Sequence, residues 1–306
     1  APAFLGAALE VRVESRDGAP RLTVDGTPVR ARMFFGRQVG SDIPIGRGET
    51  RVSFEFRAVA DEPDQATMHV RFGQAPGEVR LDNLRVTDLD TGREVIPLCR
   101  FENGQAGFDE RWTYWPQGDA NTVATVAVAG AAGEEGSGGL RVTLRRPPKN
   151  KWPGFHVYHL PNLPLEKGHR YRVQLWAHSD RKRDLRIAFY RPGSVFKLLG
   201  RRPGVMAEQI RLAAEAGVNF VSFPLPMPWP EPGEEADWDV VDARCRDVLD
   251  ANPNALLIPR IGMEPPKWWK QKYPDHRMQW EDGSGPRGVA VASEVYRRDA
   301  ATRLEA

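Results

Sequence analysis

Cysteine is nearly absent: only Cys99 and Cys245 occur in 306 residues. They fall in different regions, each among apolar neighbours, and read as free, buried thiols. No C-x-x-C spacing offers a metal site. No apolar run reaches the ~18 residues that a membrane-crossing helix needs. No charge dominates either, since 43 basic residues face 41 acidic ones for a net charge of +2. Without a basic stripe or an acidic tail, electrostatics gives no motive for binding nucleic acid or a membrane, and neither is expected as a partner. The sequence opens on Ala1, with no Met and no signal segment. That is expected of a processed secreted protein, extracellular or periplasmic, or of an excised piece.

What is abundant points elsewhere. The 26 prolines and 29 glycines favour turns and short strands over long helices. The nine tryptophans are a rich supply for one chain, and indoles in loops offer flat faces on which a ligand stacks.

The texture of the chain changes twice. Residues 1–36 hold alternating Leu9-Glu10-Val11-Arg12-Val13-Glu14, a break at Gly18-Ala19-Pro20, a strand over Arg21–Val24 and a hairpin turn at Asp25-Gly26. Met33-Phe34-Phe35 follows as a short buried-type run. Residues 37–203 read as strand after strand, with period two in Arg51–Phe56, Met68–Phe72, Glu78–Val86, Thr122–Val128, Gly139–Leu144, Tyr171–Ala177 and Leu185–Tyr190. No stretch there has a convincing helical period, which predicts a two-sheet sandwich. From residue 204 the period shifts. Met206–Ala216 is an amphipathic helix closed by Gly217, Val218–Phe223 a buried-type strand, and Asp237–Asp250 a second helix with Val240, Val241, Cys245, Val248 and Leu249 on one face. Ala255–Ile261 reads as another strand and Ser293–Ala306 as a third helix, a pattern that predicts parallel strand–helix units.

The last hundred residues resemble the glycoside hydrolases of clan A, most nearly the family 42 β-galactosidase type. The resemblance rests on Gly217-Val218-Asn219-Phe220-Val221, Trp229-Pro230-Glu231-Pro232-Gly233, Trp238-Asp239-Val240-Val241-Asp242, and above all Pro265-Pro266-Lys267-Trp268 followed by Tyr273-Pro274-Asp275 and Asp282-Gly283. Ser293 with Tyr296-Arg297 adds to it. Residues 37–203 resemble carbohydrate-binding modules of families 4 and 9, through Phe101-Glu102-Asn103-Gly104 with Trp112, Gly139-Leu140-Arg141-Val142, Leu165–Tyr171 with Trp176-Ala177, and Gly77–Leu84. The stretch that usually comes last in such modules comes first here, which implies a circular permutation.

Together the resemblances imply a multidomain fold: an all-β jelly-roll sandwich (residues 37–203) inserted into a truncated α/β barrel of the TIM type. In that scheme residues 1–36 supply a hairpin and the first barrel strand, and residues 204–306 supply strands two and three with three helices. They imply a retaining glycosidase acting on oligo- or polysaccharides, with carbohydrate as partner and no cofactor for catalysis. The clan sets its two catalytic carboxyls after strands four and seven. The chain as given would then hold no catalytic residue and be inactive. Glu231, Glu264 and Asp282 read as solvated loop charge. A non-catalytic glycan-binding protein working through the jelly roll is the alternative reading.

Candidate substrate-binding residues follow from the same placement. Trp229, Trp268 and Trp280 fall in loops expected at the barrel mouth, where stacking on sugar and packing of the loop are both open. Arg260 closes the third strand, within reach of a sugar hydroxyl or as part of an internal ion pair. The arginine usual near the end of strand two is absent, with Ser222-Phe223-Pro224 in its place. In the sandwich, Trp115, Trp152 and Tyr158 are the expected exposed rings of two aromatic clusters. Alternation sets Phe155, Val157 and His159 on one face and His156 and Tyr158 on the other, and His156 and His159 lack a third ligand for zinc. Asp82 and Glu102 match, by position, a structural calcium of such modules; a surface pair or a turn cap fits the same residues.

Overall fold

The fold is known from a computed structural model, which describes residues 10–30, 32–36, 41–116, 123–146, 154–193, 196–236, 238–285 and 288–305. The chain begins with a three-stranded antiparallel sheet of β1 (Val11–Arg16), β2 (Ala19–Val24) and β3 (Thr27–Val29). Its two tight turns are Asp17-Gly18, with φ of 55° and 74°, and Asp25-Gly26, with φ of 47° and 73°. Two successive residues in the left-handed region match the strand twist of a two-residue hairpin, which is why Asp-Gly occupies both. Pro20 does not break the chain: it lies in β2, opposite Ser15.

After β4 (Met33–Phe35) the chain builds two antiparallel sheets that pack face to face. One has the path β10 (Trp112–Trp115), β13 (His156–His159), β7 (Glu62–Arg71), β16 (Arg183–Arg191), β17 (Lys197–Arg201), with β14 (Leu163–Leu165) on β7 and β5 (Ile43–Ile45) on β16. The other runs β11 (Ala124–Ala129), β12 (Gly139–Leu144), β8 (Gly77–Asp88), β15 (Arg170–Ser179), β6 (Thr50–Arg57), with β9 (Glu94–Cys99) on β8. Alternation decides what lies between them. Val52, Phe54 and Phe56 of β6, Met68 and Val70 of β7 and Ile187 and Phe189 of β16 are all buried in one apolar core. At its centre Phe56 stacks on Phe189 at 4.6 Å and on Tyr171 at 5.4 Å. Burial pushes the Tyr171 phenol up to about 12, and its oxygen accepts the Glu166 amide at 2.8 Å. The helix α1 (Gly104–Arg111) stands just before β10, where the module resemblance sets a strand. It buries only Phe108, so it leaves almost no periodic apolar signal.

Beyond the sandwich, α2 (Val205–Glu215), β18 (Phe220–Pro226), α3 (Asp239–Ala251), β19 (Leu256–Gly262), α4 (Lys267–Lys272) and α5 (Glu294–Glu305) complete the chain. Gly217, at φ 75°, ends the turn after α2. β18 lies parallel between β4 and β19. Met206 and Ile210 of α2 and Val248 and Ala251 of α3 cover one face of this small sheet. On α3, however, Val240 and Leu249 are exposed rather than packed with Val248. Arg57 of the sandwich grips Asp250 of α3 with two hydrogen bonds, at 2.9 and 3.0 Å, and Lys167 pairs with Asp239.

The truncated barrel expected from the sequence is not there. Strand makes up 44% and helix 21% of the structure, and the strands lie mostly in sandwich-like sheets, so the molecule is a mostly-β protein. The parallel sheet is open and three-stranded, with Met33, Phe35 and Ile261 exposed. Near-continuous apolar strands alternating with helices mark any α/β unit, and that pattern alone does not fix how many strands join or whether they close.

The core supplies a test. A Cβ on Gly200 would stand 2.2 Å from the Phe56 ring. Gly200→Ala is therefore expected to cost about 1–3 kcal/mol, and Phe56→Ala about 3–5 kcal/mol. In the Phe56→Ala background Gly200→Ala should cost almost nothing, because the ring it strikes is gone. Urea denaturation of the four proteins of this cycle measures the coupling; additive costs would contradict the packing.

Candidate functional site

Alternation that sends Met68, Val70 and Phe72 into the core sends Thr67, His69 and Arg71 to the outer face of the same sheet. Phe155, just before β13, and Val157 on it are core, so His156 and Tyr158 face outward; on β16, Arg186 and Tyr190 do. Register then assembles them. Trp115 lies opposite His156, Tyr158 opposite His69, and Tyr190 opposite Thr67.

The rings form a row across the strands. Trp115 stacks on His156 at 5.9 Å, and His156 on His69 at 4.8 Å. Tyr158 stacks on His69 at 5.1 Å, while Tyr190 and Phe196 meet its edge at 5.0 and 5.7 Å. From β10 to β16 the row crosses four strands, roughly 14 Å at the usual strand spacing. Trp115 is 40% and Phe196 43% exposed, and Tyr158 is half-buried, whereas His69 and His156 lie beneath at 2% and 5%. The accessible part of the face is therefore aromatic and rests on a polar layer.

That layer is held neutral. Burial, with His156 and Arg71 adding to it, lowers the His69 imidazole to about 2; burial lowers His156 to about 4. Thr67 Oγ1 stands 2.8 Å from His69 Nε2 and donates to the Tyr190 carbonyl at 3.3 Å, which makes Nε2 the donor of that pair. His69 Nδ1 is then a buried acceptor with no hydrogen-bond partner among the described residues. His156 Nδ1 donates to the Gly154 carbonyl at 2.8 Å, leaving Nε2 as its lone-pair nitrogen.

Beside the row lies a cleft of about 230 Å³. Arg71, Arg186, Asp42 and Asp184 line it, two cations against two anions. Arg186 holds Asp42 by two hydrogen bonds at 2.7 and 3.1 Å, and Arg71 donates to the Tyr190 hydroxyl at 3.4 Å. The arrangement offers flat apolar rings beside fixed donors and acceptors of no net charge.

The expected site residues divide. Trp115 and Tyr158 come together on this face, and Trp152 lies outside the described residues. Trp229 stacks on Tyr296 at 6.3 Å and its carbonyl accepts the Trp268 indole at 3.3 Å, so both rings pack the loops of the α/β unit. A cleft of about 220 Å³ is left beside them. Trp280 is 50% exposed in a separate loop. Arg260 lies 3.7 Å over the Phe35 ring, donates to Ser222 Oγ at 3.1 Å and donates to the Gly36 carbonyl. Its guanidinium ties all three parallel strands together, and no carboxylate is among these partners. Asp82 is buried and accepts from the amides of Asn83 and Glu134 and from the Ser137 hydroxyl, at 2.7 to 3.0 Å. Glu102 is exposed. The cysteines are free but half-buried, and burial pushes both thiols up.

Among the described residues one group brings three metal-type ligands within 4.8 Å: Asp88, Glu166 and His169. His169 Nδ1 is 3.0 Å from Asp88 and Nε2 is 3.4 Å from Glu166. With a carboxylate at each ring nitrogen this is the pattern of an imidazolium, and the hydrogen bond to Asp88 raises the His169 pKa. His69, Arg71, Arg186, Tyr190 and Phe196 were not singled out from the sequence. Their signal is the every-second-residue placement of polar and aromatic groups in β7 and β16. No family model matches the chain, no curated protein matches it, and no solved structure matches it.

The histidines fix a pH dependence. Between about pH 6.5 and 4 the unfolded chain binds protons at His69 and His156 that the folded chain does not. Stability therefore falls as pH falls through that window, by up to about 1.4 kcal/mol per pH unit for each histidine. His169 acts with the opposite sign: its contribution is full below the unfolded pKa and fades as pH rises through the raised folded value. Urea midpoints measured from pH 7 to 4 should slope less in His69→Gln and in His156→Gln than in the parent; equal slopes would mean the pair does not titrate this way.

Proposed function

We propose that the protein binds neutral carbohydrate on the outer face of the sheet that carries Trp115, His156, His69 and Tyr158. The observation that carries this reading is the row of rings beside the Arg71–Arg186–Asp42–Asp184 cleft. A sugar ring presents a flat C–H face and an edge of hydroxyls. Indole and phenol rings take the first, and fixed ionic donors and acceptors take the second. Two cations balanced by two anions favour an uncharged ligand over a phosphate or an acidic polymer. The row is long enough for a short oligosaccharide.

The glycosidase expectation leaned on a barrel that the fold does not contain, so the sandwich face carries the proposal. It is a binding function. Trp229 and Trp268 have no part in it, because the Trp229 ring packs on Tyr296 and the Trp268 indole donates to the Trp229 carbonyl.

Affinity electrophoresis and calorimetry against soluble xylan, mixed-linkage glucan, galactan and galactomannan provide the test. At least one should bind. Trp115→Ala and Tyr158→Ala should each lose about tenfold or more in affinity, as truncated aromatic anchors do. Trp229→Ala should bind like the parent. Binding that survives both sandwich substitutions, or that fails with every polysaccharide, would overturn the reading.

A further inference from the structure

The N-terminal sheet stands apart from both apolar cores: none of its residues is in either. Its strand order is β1-β2-β3, so one side of β1 carries no partner strand among the described residues. The opposite edge is blunted, because β3 is three residues long and has Pro28 at its centre. β1 has neither defence. It is six residues long, has no proline and leaves Val11 45% and Val13 71% exposed.

The direction of its backbone groups follows from the hairpin. Arg16 and Ala19 flank the two-residue Asp17-Gly18 turn, and the pair that closes such a turn exchanges hydrogen bonds. At the other end the Glu10 carbonyl accepts the Asp25 amide at 2.8 Å. The even-numbered residues thus bond inward to β2. Val11, Val13 and Ser15 aim their N–H and C=O groups at the free edge.

We propose that this edge pairs with β1 of a second copy of the chain, antiparallel and about a two-fold axis at Val13. The occupant is chosen by charge. With Val13 opposite Val13 of the second copy, Arg12 falls opposite Glu14, and Glu10 falls opposite Arg16. All four charged positions of Glu10-Val11-Arg12-Val13-Glu14-Ser15-Arg16 then meet their opposites on one face. On the other face the two Val13 side chains touch, continuing the Val13–Leu22–Val29 row across both sheets. The outward backbone groups of Val11, Val13 and Ser15 are the ones this register needs. Moving the axis to Arg12 or to Glu14 would set that residue opposite its own copy, like charge against like, and a slip of the pairing by a single residue would turn the valines to the charged face. The contact is isologous and closes at two copies. A six-residue edge is a small interface, so the dimer forms in the micromolar range. The inference is independent of the carbohydrate reading, which involves a different sheet.

Sedimentation velocity on the full chain from roughly 5 to 500 µM tests it, over the range where small interfaces form. The parent should pass from monomer to dimer. Arg12→Glu and Glu14→Arg should each weaken the dimer at least about tenfold, since each sets like charges opposite one another across the axis. Mixed in equal amounts, the two variants should dimerise again, because Glu at position 12 of one then faces Arg at position 14 of the other. The double variant Arg12→Glu/Glu14→Arg should dimerise like the parent. Near-UV circular dichroism of the sandwich aromatics reports whether each variant is folded. A parent that stays monomeric throughout, or single variants that associate as well as the parent, would refute the pairing; so would a mixture that stays monomeric.

Discussion

The contact between the two sandwich sheets sets the position of every group on the candidate site. Phe56, Phe189 and Tyr171 stack through the centre of the core, and Gly200 leaves room for the Phe56 ring. A strand that commits one face to such a core has no freedom over the other. Once Met68 and Val70 are inside, Thr67, His69 and Arg71 are outside; once Phe155 and Val157 are inside, His156 and Tyr158 join them. Antiparallel register then brings residues from β10, β13, β7 and β16 into one row, although they span positions 67 to 190 of the chain. Apart from Phe196, which lies between β16 and β17, no loop residue is needed to make the row, which is a consequence of period two and a shared core.

That constraint also separates what could be read in the sequence from what could not. Strands such as Arg51–Phe56 and Gly139–Leu144 alternate strictly and are found where the pattern puts them. The Asp25-Gly26 turn announces itself because few other residue pairs accept two left-handed conformations. Trp115 and Tyr158 were legible as candidate rings because they are aromatic in a strand whose other face is apolar. His69 and Arg71 lie on the polar side of a legible alternation, but which rings and cations of other strands meet them depends on register with partners more than a hundred residues away. The truncated barrel was inferred from a family resemblance and local α/β texture, but membership of a barrel is a property of strand number and pairing and leaves no mark in a single strand. Among the described residues only β4, β18 and β19 pair in parallel, and they form an open sheet.

The tryptophan-rich stretch after β18 shows how the same chemistry serves two ends. Trp229, Trp269, Tyr273 and Tyr296 contact one another, Trp269 is fully buried, and its indole donates to Asp299 at 2.8 Å. These rings pack α4, α5 and the loop after β18 against one another beside the small parallel sheet. Indoles suit that task for the reason they suit sugars: a large flat face with one polar edge. What distinguishes the sandwich row is not its composition but its support, since its exposed rings stand on strands fixed by the core.

The polar layer under that row is a poor choice for stability alone. Two imidazoles lie almost wholly buried beside the Arg71 guanidinium, and one ring nitrogen, His69 Nδ1, lacks a partner among the described residues. Burying such groups costs more than burying apolar side chains of the same volume, even when most are hydrogen-bonded. A face that only needed covering would be cheaper with valine and leucine at positions 69 and 156, as on the inner side of the same strands. Polar groups kept at a net cost mark places where a protein works rather than merely folds. Here they keep the sheet face neutral while supplying lone pairs beneath exposed rings. An uncharged, hydroxyl-bearing ligand can use the exposed rings and the donors and acceptors of the cleft beside them, whereas a charged ligand gains nothing from a site whose cations and anions already cancel.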